Sequence, residues 1–305
     1  MTNNVMIQPQ TLLEHLELLA KQVVEGFIIG LHKSPFHGFS VEFAEHRLYN
    51  QGDALRHIDW RVFGRTDKLF VKKFEEETNL RCNLVIDTSS SMHFPVSDKA
   101  LNKLQYACLS AASILQILKR QLDAAALTLF DESIYYQSAC RSASSHYRLL
   151  MSELEKTLRY HPHEKTTNAA SALHQIAEQM HKRSLIVVFS DMMEDAAHIE
   201  DLFAALQHLR YNKHEVILFH IVEAKQELAF QFENRPYEFV DMESGERIKL
   251  QPQQMAEKYR EQMSGFQRMI ENRCHQYNID RVAVDLSQPV EQVLYSFLIK
   301  RNKLL

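Results

Sequence analysis

Apolar residues along this chain recur first with the period of a helix and then in alternating strand and helix patterns. Over residues 10–30 they are spaced three or four apart along one face, which predicts an amphipathic helix with a stripe of Leu12, Leu16, Leu19, Val23 and Phe27. From residue 82 onward, short apolar runs such as 82–86, 185–189 and 216–222 alternate with longer helical patterns. This alternation predicts an α/β fold, a doubly wound and mostly parallel sheet with helices on both faces.

The other predicted elements divide the chain into three regions. We expect an N-terminal amphipathic helix in residues 1–31, a small strand-and-loop subdomain in 32–79, and the α/β domain with a C-terminal hairpin and helices in 80–305. In the long helix after residue 252, the apolar stripe predicts that Met255 and Met263 belong to the core. The pattern also predicts strands over 124–130, 134–137, 237–240, 247–250 and 282–286, and helices over 101–118, 147–158, 169–183, 196–211, 252–277 and 290–298.

Charge and cysteine content exclude several classes of protein. The chain has 35 Lys and Arg against 39 Asp and Glu, a net charge of −4, so no basic excess favours a nucleic-acid partner. Its four cysteines lie far apart without a Cys-x-x-Cys pair, which predicts buried free thiols in a reducing compartment. The N-terminus lacks the pattern of a signal peptide, and no stretch is apolar enough to span a membrane. We therefore expect a soluble, cytoplasmic protein.

Oxygen-bearing side chains follow the two clearest strands. Residues 87–91 (DTSSS) fit the pattern D-x-S-x-S, and Asp191 comes soon after strand 185–189. Thr166 and Thr167 precede the helix predicted to begin at residue 169. Ligands of open parallel sheets bind outside the carboxyl ends of the strands, and Mg²⁺ and Mn²⁺ prefer oxygen donors of these kinds. The sequence therefore predicts a metal site, although a serine-rich turn after a strand is also a common helix N-cap.

The segment from residue 82 to about 222 resembles a von Willebrand factor type A domain with a metal-ion-dependent adhesion site. In that site a D-x-S-x-S motif, a Thr on a second loop and an Asp on a third loop surround the ion. Lys165 and Thr166 stand where glycines often precede the Thr, so Thr166 is an alternative ligand, and Met192 stands where a Gly often follows the Asp. The resemblance implies a site made of Asp87, Ser89, Ser91, Thr167 and Asp191.

Residues 34–92 resemble a bacterial family called domain of unknown function 58. The resemblance rests on segments such as 38–43 (GFSVEF), 56–60 (RHIDW) and 74–77 (FEEE). Members of that family are often encoded beside MoxR-type AAA+ ATPases. The resemblance therefore implies a role in assembling or activating other proteins.

The same upstream block mixes charges of both signs with the only tryptophan, Trp60. Two interpretations are open. The block is either a structural network of paired charges or a docking surface for a partner. Near-balanced signs suit pairing, because buried charges persist only when they are paired. We expect the network, made of Arg47, Asp53, Arg56, Asp59 and Arg65.

These observations favour a non-catalytic module in which a divalent ion accepts an Asp or Glu carboxylate from a protein partner. The family resemblance implies that the partner is a MoxR-type AAA+ ATPase or its client. The alternative is an enzyme, a Mg²⁺- or Mn²⁺-dependent phosphohydrolase that uses the same oxygens with His93 or His163 as base. A third possibility is a scaffold that has lost metal binding. No G-x-S-x-G, Walker A or G-x-G-x-x-G motif supports another chemistry.

Overall fold

A computed structural model gives the fold of most of the chain. Contacts divide the chain into two units, Met1–Phe27 together with Leu80–Leu305, and Ile28–Asn79. The structure describes residues 8–33, 46–48, 64–65, 70–72, 80–97, 99–159, 169–180, 183–193, 199–211, 213–242 and 245–302.

The smaller unit contains a two-stranded antiparallel sheet. His46–Leu48 (β1) pairs with Phe70–Lys72 (β2), with Arg47 opposite Val71. Three members of the charged block that we expect to form a paired network, Asp53, Arg56 and Asp59, lie outside the described residues, whereas Arg65 is described and exposed.

The first helix, Pro9–Lys33 (α1), confirms the amphipathic pattern. Its buried face differs from the predicted stripe, because Ala20 and Val24 are buried where the spacing favours Leu19 and Val23, which are half-buried. The buried residues Leu12, Leu16, Ala20 and Val24 are four apart, close to the 3.6-residue period of a helix.

The larger unit is built on a six-stranded sheet. Its strands are Arg81–Asp87 (β3), Ala124–Phe130 (β4), Ile134–Gln137 (β5), Leu185–Ser190 (β6), Glu215–Val222 (β7) and Asp280–Asp285 (β10). They lie in the order β10-β7-β6-β3-β4-β5, and neighbouring strands are parallel except for β4 and β5, which are antiparallel. This confirms the prediction of a mostly parallel α/β sheet flanked by helices. The hairpin strands are Tyr237–Val240 (β8) and Arg247–Leu250 (β9).

The helices of this unit follow the predicted alternation. The first of them is buried on almost every side, because Ala, Leu and Ile occupy all of its faces. Asn102 caps it, and Asn102 and Gln105 form a reciprocal capping box. The helices are Lys103–Arg120 (α2), Ser144–Thr157 (α3), Ala169–Gln179 (α4), Ile199–Tyr211 (α5), Pro252–Gln276 (α6) and Glu291–Asn302 (α7).

Two expectations about side chains need correction or refinement. The stripe on α6 does not belong to the core at its beginning, where Met255 is 42% exposed and Met263 is half-buried. Here the helix instead carries Tyr259, which stacks on Phe230 with ring centroids 4.4 Å apart. The four cysteines, all within the described ranges, form no disulfide, as expected, but Cys140 is only half-buried while the other three are buried.

The arrangement of β3 and β6 positions the candidate site. These two strands are parallel neighbours, with Ile86 opposite Phe189, so Asp87 and Ser190 end adjacent strands at the same edge of the sheet. Every residue of β6 is buried. Among the described helices, none is both long and apolar enough to cross a membrane.

Candidate site at the carboxyl ends of the central strands

Asp87 is the last residue of β3 and lies buried at the edge of the sheet. Its Oδ1 accepts a hydrogen bond from the Ser89 amide at 3.0 Å, and its Oδ2 accepts one from the Ser190 hydroxyl at 2.7 Å. The next residue, Thr88, donates from both its amide and its hydroxyl to the Phe130 carbonyl, each at 2.8 Å. These bonds fix the loop between the ends of β4 and β6.

The serines of the D-x-S-x-S segment form a compact turn. Ser90–His93 is a short 3₁₀ helix, and the hydroxyls of Ser89 and Ser91 are 3.1 Å apart. Ser89 does not cap this helix with its side chain. The N-cap explanation of the serine-rich turn is therefore not supported for Ser89, whose hydroxyl faces Ser91 instead.

The carboxyl group of Asp87 carries a negative charge poorly in this environment. Burial raises its pKa from 3.8 to about 7, and repulsion from Asp191 adds to the rise, while hydrogen bonds from Ser89 and Ser190 lower it. Both of its hydrogen-bond donors are neutral groups. A buried carboxylate with this raised pKa is one that a nearby cation would stabilise in its ionised form.

Asp191 follows β6 directly and is engaged at both carboxylate oxygens. Its Oδ1 accepts a hydrogen bond from the Met193 amide at 3.1 Å. Its Oδ2 lies 2.6 Å from the Nζ of Lys103, which also lies 2.7 Å from the Oε1 of Glu227. The side chains of Lys103 and Asp191 are each 1% exposed and that of Glu227 is 9% exposed, so this is a buried ion-pair triad.

Two effects oppose a charged lysine at this position, and two carboxylates overcome them. Lys103 is the first residue of α2, where the helix dipole disfavours a positive charge. Burial lowers the pKa of its ammonium group, but attraction to Asp191 and Glu227 outweighs burial, so the pKa lies above its ordinary value. The lysine is therefore a cation held by these carboxylates.

His220 on β7 holds the backbone of Asp191 from the other side. Its Nε2 lies 2.9 Å from the Asp191 carbonyl oxygen, and its Nδ1 accepts hydrogen bonds from the Arg281 guanidinium at 2.9 and 3.2 Å. An Nδ1 that accepts requires the proton on Nε2, which donates to Asp191. Burial and the positive charge of Arg281 lower the pKa of His220 to about 4, so the imidazole is neutral at pH 7.

The structure brings together four of the five predicted ligands. Asp87, Ser89 and Ser91 lie in one turn, and Ser190, the residue before Asp191, donates its hydroxyl to Asp87. Thr167 and its alternative Thr166 lie outside the described residues. The described chain resumes at helix α4, which begins at Ala169, two residues after Thr167. Of the two histidines considered as a base, His93 is half-buried at the end of the 3₁₀ helix and His163 lies outside the described residues.

The donor set fits a hard divalent cation in charge and in kind. The site contains three carboxyl groups, those of Asp87, Asp191 and Glu227, and one ammonium group, that of Lys103. Full ionisation of all four groups therefore leaves two negative charges uncompensated. The serine hydroxyls add neutral oxygen ligands of the type that Mg²⁺ and Mn²⁺ accept. Within the described ranges, no group of three or more His, Cys, Asp or Glu side chains could hold a metal ion by itself. A site here depends on hydroxyl oxygens as well as carboxylates.

Three polar residues of this region were not predicted from the sequence. His220 carried a signal, because it is the one strongly polar residue inside the apolar run 216–222. Lys103 and Glu227 carried none, since they come from the start of a helix and from a single π-helical turn, Ala224–Leu228, far apart along the chain. Only the tertiary fold brings them to Asp191.

Several proteins are similar to this chain. One similar solved structure is that of the conserved hypothetical protein BatB from Bacteroides thetaiotaomicron, which has 15% sequence identity to this chain and a TM-score of 0.45. The match covers 73% of this chain and 99% of that chain. An aerotolerance-related membrane protein from Bacteroides fragilis, with multiple mutations to serines, has 16% identity and a TM-score of 0.48, covering 72% and 99%.

Curated relatives and a family profile also match. Uncharacterized proteins of Mycobacterium bovis and Mycobacterium tuberculosis are each 35% identical over 102 residues, so the match spans only 33% of this chain and 32% of each relative. The profile described as "Protein of unknown function DUF58" covers residues 45–269, which is more than half of the chain. The resemblance seen in the upstream block is thereby confirmed, and the chain belongs to the DUF58 family.

Proposed function

We propose that this protein is a non-catalytic, cytoplasmic protein-binding module with a von Willebrand factor A-like fold and a metal-ion-dependent adhesion site. The proposed ligands of Mg²⁺ or Mn²⁺ are Asp87, Ser89, Ser91, Thr167 and Asp191. The observation that carries the proposal is the buried Asp87 carboxyl group, which lies beside Asp191 with only neutral hydrogen-bond donors. Two carboxylates together with serine hydroxyls, at the carboxyl ends of parallel strands, suit a hard cation.

Each residue has a definite task in this proposal. Asp87 and Asp191 supply negative charge, and Ser89 and Ser91 supply neutral oxygens from one rigid turn. Ser190 orients Asp87 through its hydroxyl, while His220 fixes the backbone of Asp191. When bound, the ion supplies an electrophilic position for a carboxylate of the partner. The turn is anchored to β4 through Thr88, so the oxygens are organised in advance of binding.

The proposed partner is a protein with an exposed acidic residue, namely a MoxR-type AAA+ ATPase or a client of that ATPase. This part of the proposal rests on the family resemblance, and the site chemistry adds the requirement for a carboxylate. A carboxylate bound to a divalent ion gives orientation and specificity, while the surrounding loops choose the partner.

The first experiment measures Mn²⁺ binding by isothermal titration calorimetry in the wild type and in Asp87→Ala. We expect binding in the wild type and none in the variant, because the variant loses a ligand and its charge. Asp285→Ala is a matched control. Asp285 ends β10, and its carboxylate accepts hydrogen bonds from Ser287 in a similar D-x-S turn at another place on the sheet. Equal Mn²⁺ affinity in Asp87→Ala and the wild type would refute the site assignment.

The second experiment separates a binding module from a phosphohydrolase. Capture of the ATPase should require Mg²⁺ or Mn²⁺, fail with a chelator, and fail when the critical acidic residue of the ATPase becomes an amide. His93→Ala and His163→Ala should leave capture unchanged, because no proton transfer takes place. A phosphatase screen is the counter-test. Turnover that vanishes in Asp87→Ala and falls at least about tenfold in a histidine variant would replace the module with an enzyme.

A further inference from the structure

A buried lysine inside a set of acidic residues needs an explanation beyond packing. Lys103 is almost fully buried at the first position of α2, where both burial and the helix dipole oppose its charge. A neutral side chain would avoid both costs, because both act on the positive charge. Lysine is rarely fully buried unless it is paired. The position of its ammonium group, rather than its contribution to stability, is therefore the feature to explain.

Glu227, the second partner of the ammonium group, is held in place by the backbone amide of Glu223. It lies on the single π-helical turn Ala224–Leu228, whose N-cap residue is Glu223. The Oε2 of Glu227 accepts a hydrogen bond from the Glu223 amide at 2.8 Å, while Oε1 contacts Lys103. Because one oxygen is anchored by the turn, the other is a fixed acceptor for the lysine.

The two carboxylates that contact Lys103 have different roles in the proposed site. Asp191 is a proposed ligand of the ion, and Glu227 is not. The oxygen of Asp191 that Lys103 contacts is the one that the Met193 amide does not occupy. An ammonium group on this oxygen and a divalent ion on this carboxylate oppose one another, because both are cations that seek the same negative charge.

We infer that Lys103 is a tethered cation that competes with the divalent ion for Asp191, and that Glu227 is the carboxylate that retains the ammonium group when the ion is bound. This inference rests on the proposed function and adds two residues that determine the affinity of the site. Lys103 neutralises Asp191 in the ion-free state, so that the ion must displace a positive charge to bind. Such competition selects against monovalent ions, whose attraction to a carboxylate is about half that of a divalent ion at equal distance.

The test uses the full chain and measures Mn²⁺ affinity by titration calorimetry in three variants. Lys103→Met removes the competing charge while keeping an unbranched side chain, and we expect Mn²⁺ to bind at least about tenfold more tightly. Glu227→Gln removes the carboxylate that retains the ammonium group, so Lys103 rests on Asp191 alone, and we expect binding at least about fivefold weaker. The double variant Lys103→Met/Glu227→Gln should resemble Lys103→Met, because Glu227 acts through the lysine.

Lys156→Met is the matched control. Lys156 makes an ion pair of the same 2.6 Å length with Glu153, but its side chain is 68% exposed. We expect its removal to leave Mn²⁺ affinity unchanged. Circular dichroism and thermal melting show which variants are folded. If Lys103→Met does not fold, the weaker binding of Glu227→Gln decides the inference, since the glutamine keeps its hydrogen-bonding capacity.

The outcomes separate this inference from the proposed function. Unchanged or weaker Mn²⁺ binding in folded Lys103→Met, or unchanged binding in Glu227→Gln, overturns the inference while Asp87→Ala still tests the site. If Mn²⁺ binds to Lys103→Met but not to the wild type, Lys103 closes the site, which supports the competition and overturns metal binding by the natural chain. If Mn²⁺ binds to neither, both proposals fail.

Discussion

Replacing Asp87 by Asn should stabilise the ion-free protein at neutral and alkaline pH. The carboxyl group is buried between two neutral donors and beside Asp191, so its ionised form is disfavoured. An asparagine keeps the shape of the side chain. Its amide oxygen can accept from Ser89 and its amide nitrogen can donate to the Ser190 hydroxyl. The substitution therefore removes the charge and keeps the hydrogen-bonded turn.

The size of the effect follows from the pKa of Asp87. The folded state raises that pKa from 3.8 to about 7, which corresponds to about 4 kcal/mol. Because the folded state holds this proton more tightly than the unfolded chain, the stability that it confers is fully present below pH 3.8 and is lost as the pH rises to about 7. The difference in unfolding free energy between Asp87→Asn and the wild type should grow by about 3 kcal/mol from pH 5 to pH 8.

Urea unfolding with a chelator present measures this difference at both pH values. Groups that titrate in both proteins, such as His220, cancel in the comparison. Asp285→Asn, at the edge strand, removes a carboxylate from a similar D-x-S turn and is the matched control. Addition of Mn²⁺ at pH 8 should raise the stability of the wild type and leave Asp87→Asn unchanged, because a ligand that binds only the native state stabilises it. A difference that is the same at pH 5 and pH 8 would show that no uncompensated charge is buried at Asp87.

Two further predictions concern a loop and a buried hydrogen bond. Thr167→Ala should weaken Mn²⁺ binding by about tenfold and Thr166→Ala should have little effect, because the family pattern places the hydroxyl ligand at Thr167. Calorimetry checks this ranking, and the reverse order would move the ligand to Thr166. Tyr147→Phe should lower the free energy of unfolding by about 1 kcal/mol, because the buried hydroxyl donates to the Asp123 carbonyl at 2.7 Å. A lower urea midpoint with an unchanged slope is the expected result, and an unchanged midpoint contradicts it.

The sheet could be predicted from the sequence because its strands are short, apolar and bounded by polar turns. Strand 185–189 is such a run, and the structure extends it by one residue, to Ser190. The hairpin 237–240 and 247–250 has the predicted bounds. The order of the strands could not be predicted in the same way, since apolar patterning identifies a strand but not its neighbour. The exposed start of α6 was also missed, because periodicity identifies an apolar stripe but not what covers it.

The candidate site was predictable only where its residues follow strands. Asp87 and Asp191 could be placed together because adjacent parallel strands end at the same edge. The contacts that Lys103, Glu227 and Ser190 make join residues far apart along the chain, and no local sequence pattern predicts them. A lysine at the start of a helix is ordinarily a solvated charge, and only the fold reveals that this one is buried between two carboxylates.

The packing of α7 on α2 has a consequence for the order in which the chain folds. Helix α2 contacts β3, β4 and β7, and α7, which buries Val293, Leu294 and Phe297, contacts α2, β7 and β10. Synthesis from Arg120 to Glu291 takes on the order of 10–30 s at about 5–20 residues per second. During that interval the face of α2 that α7 later covers is open to water and to other nascent chains. A chaperone that protects this face until α7 emerges from the ribosome would therefore raise the yield of native protein.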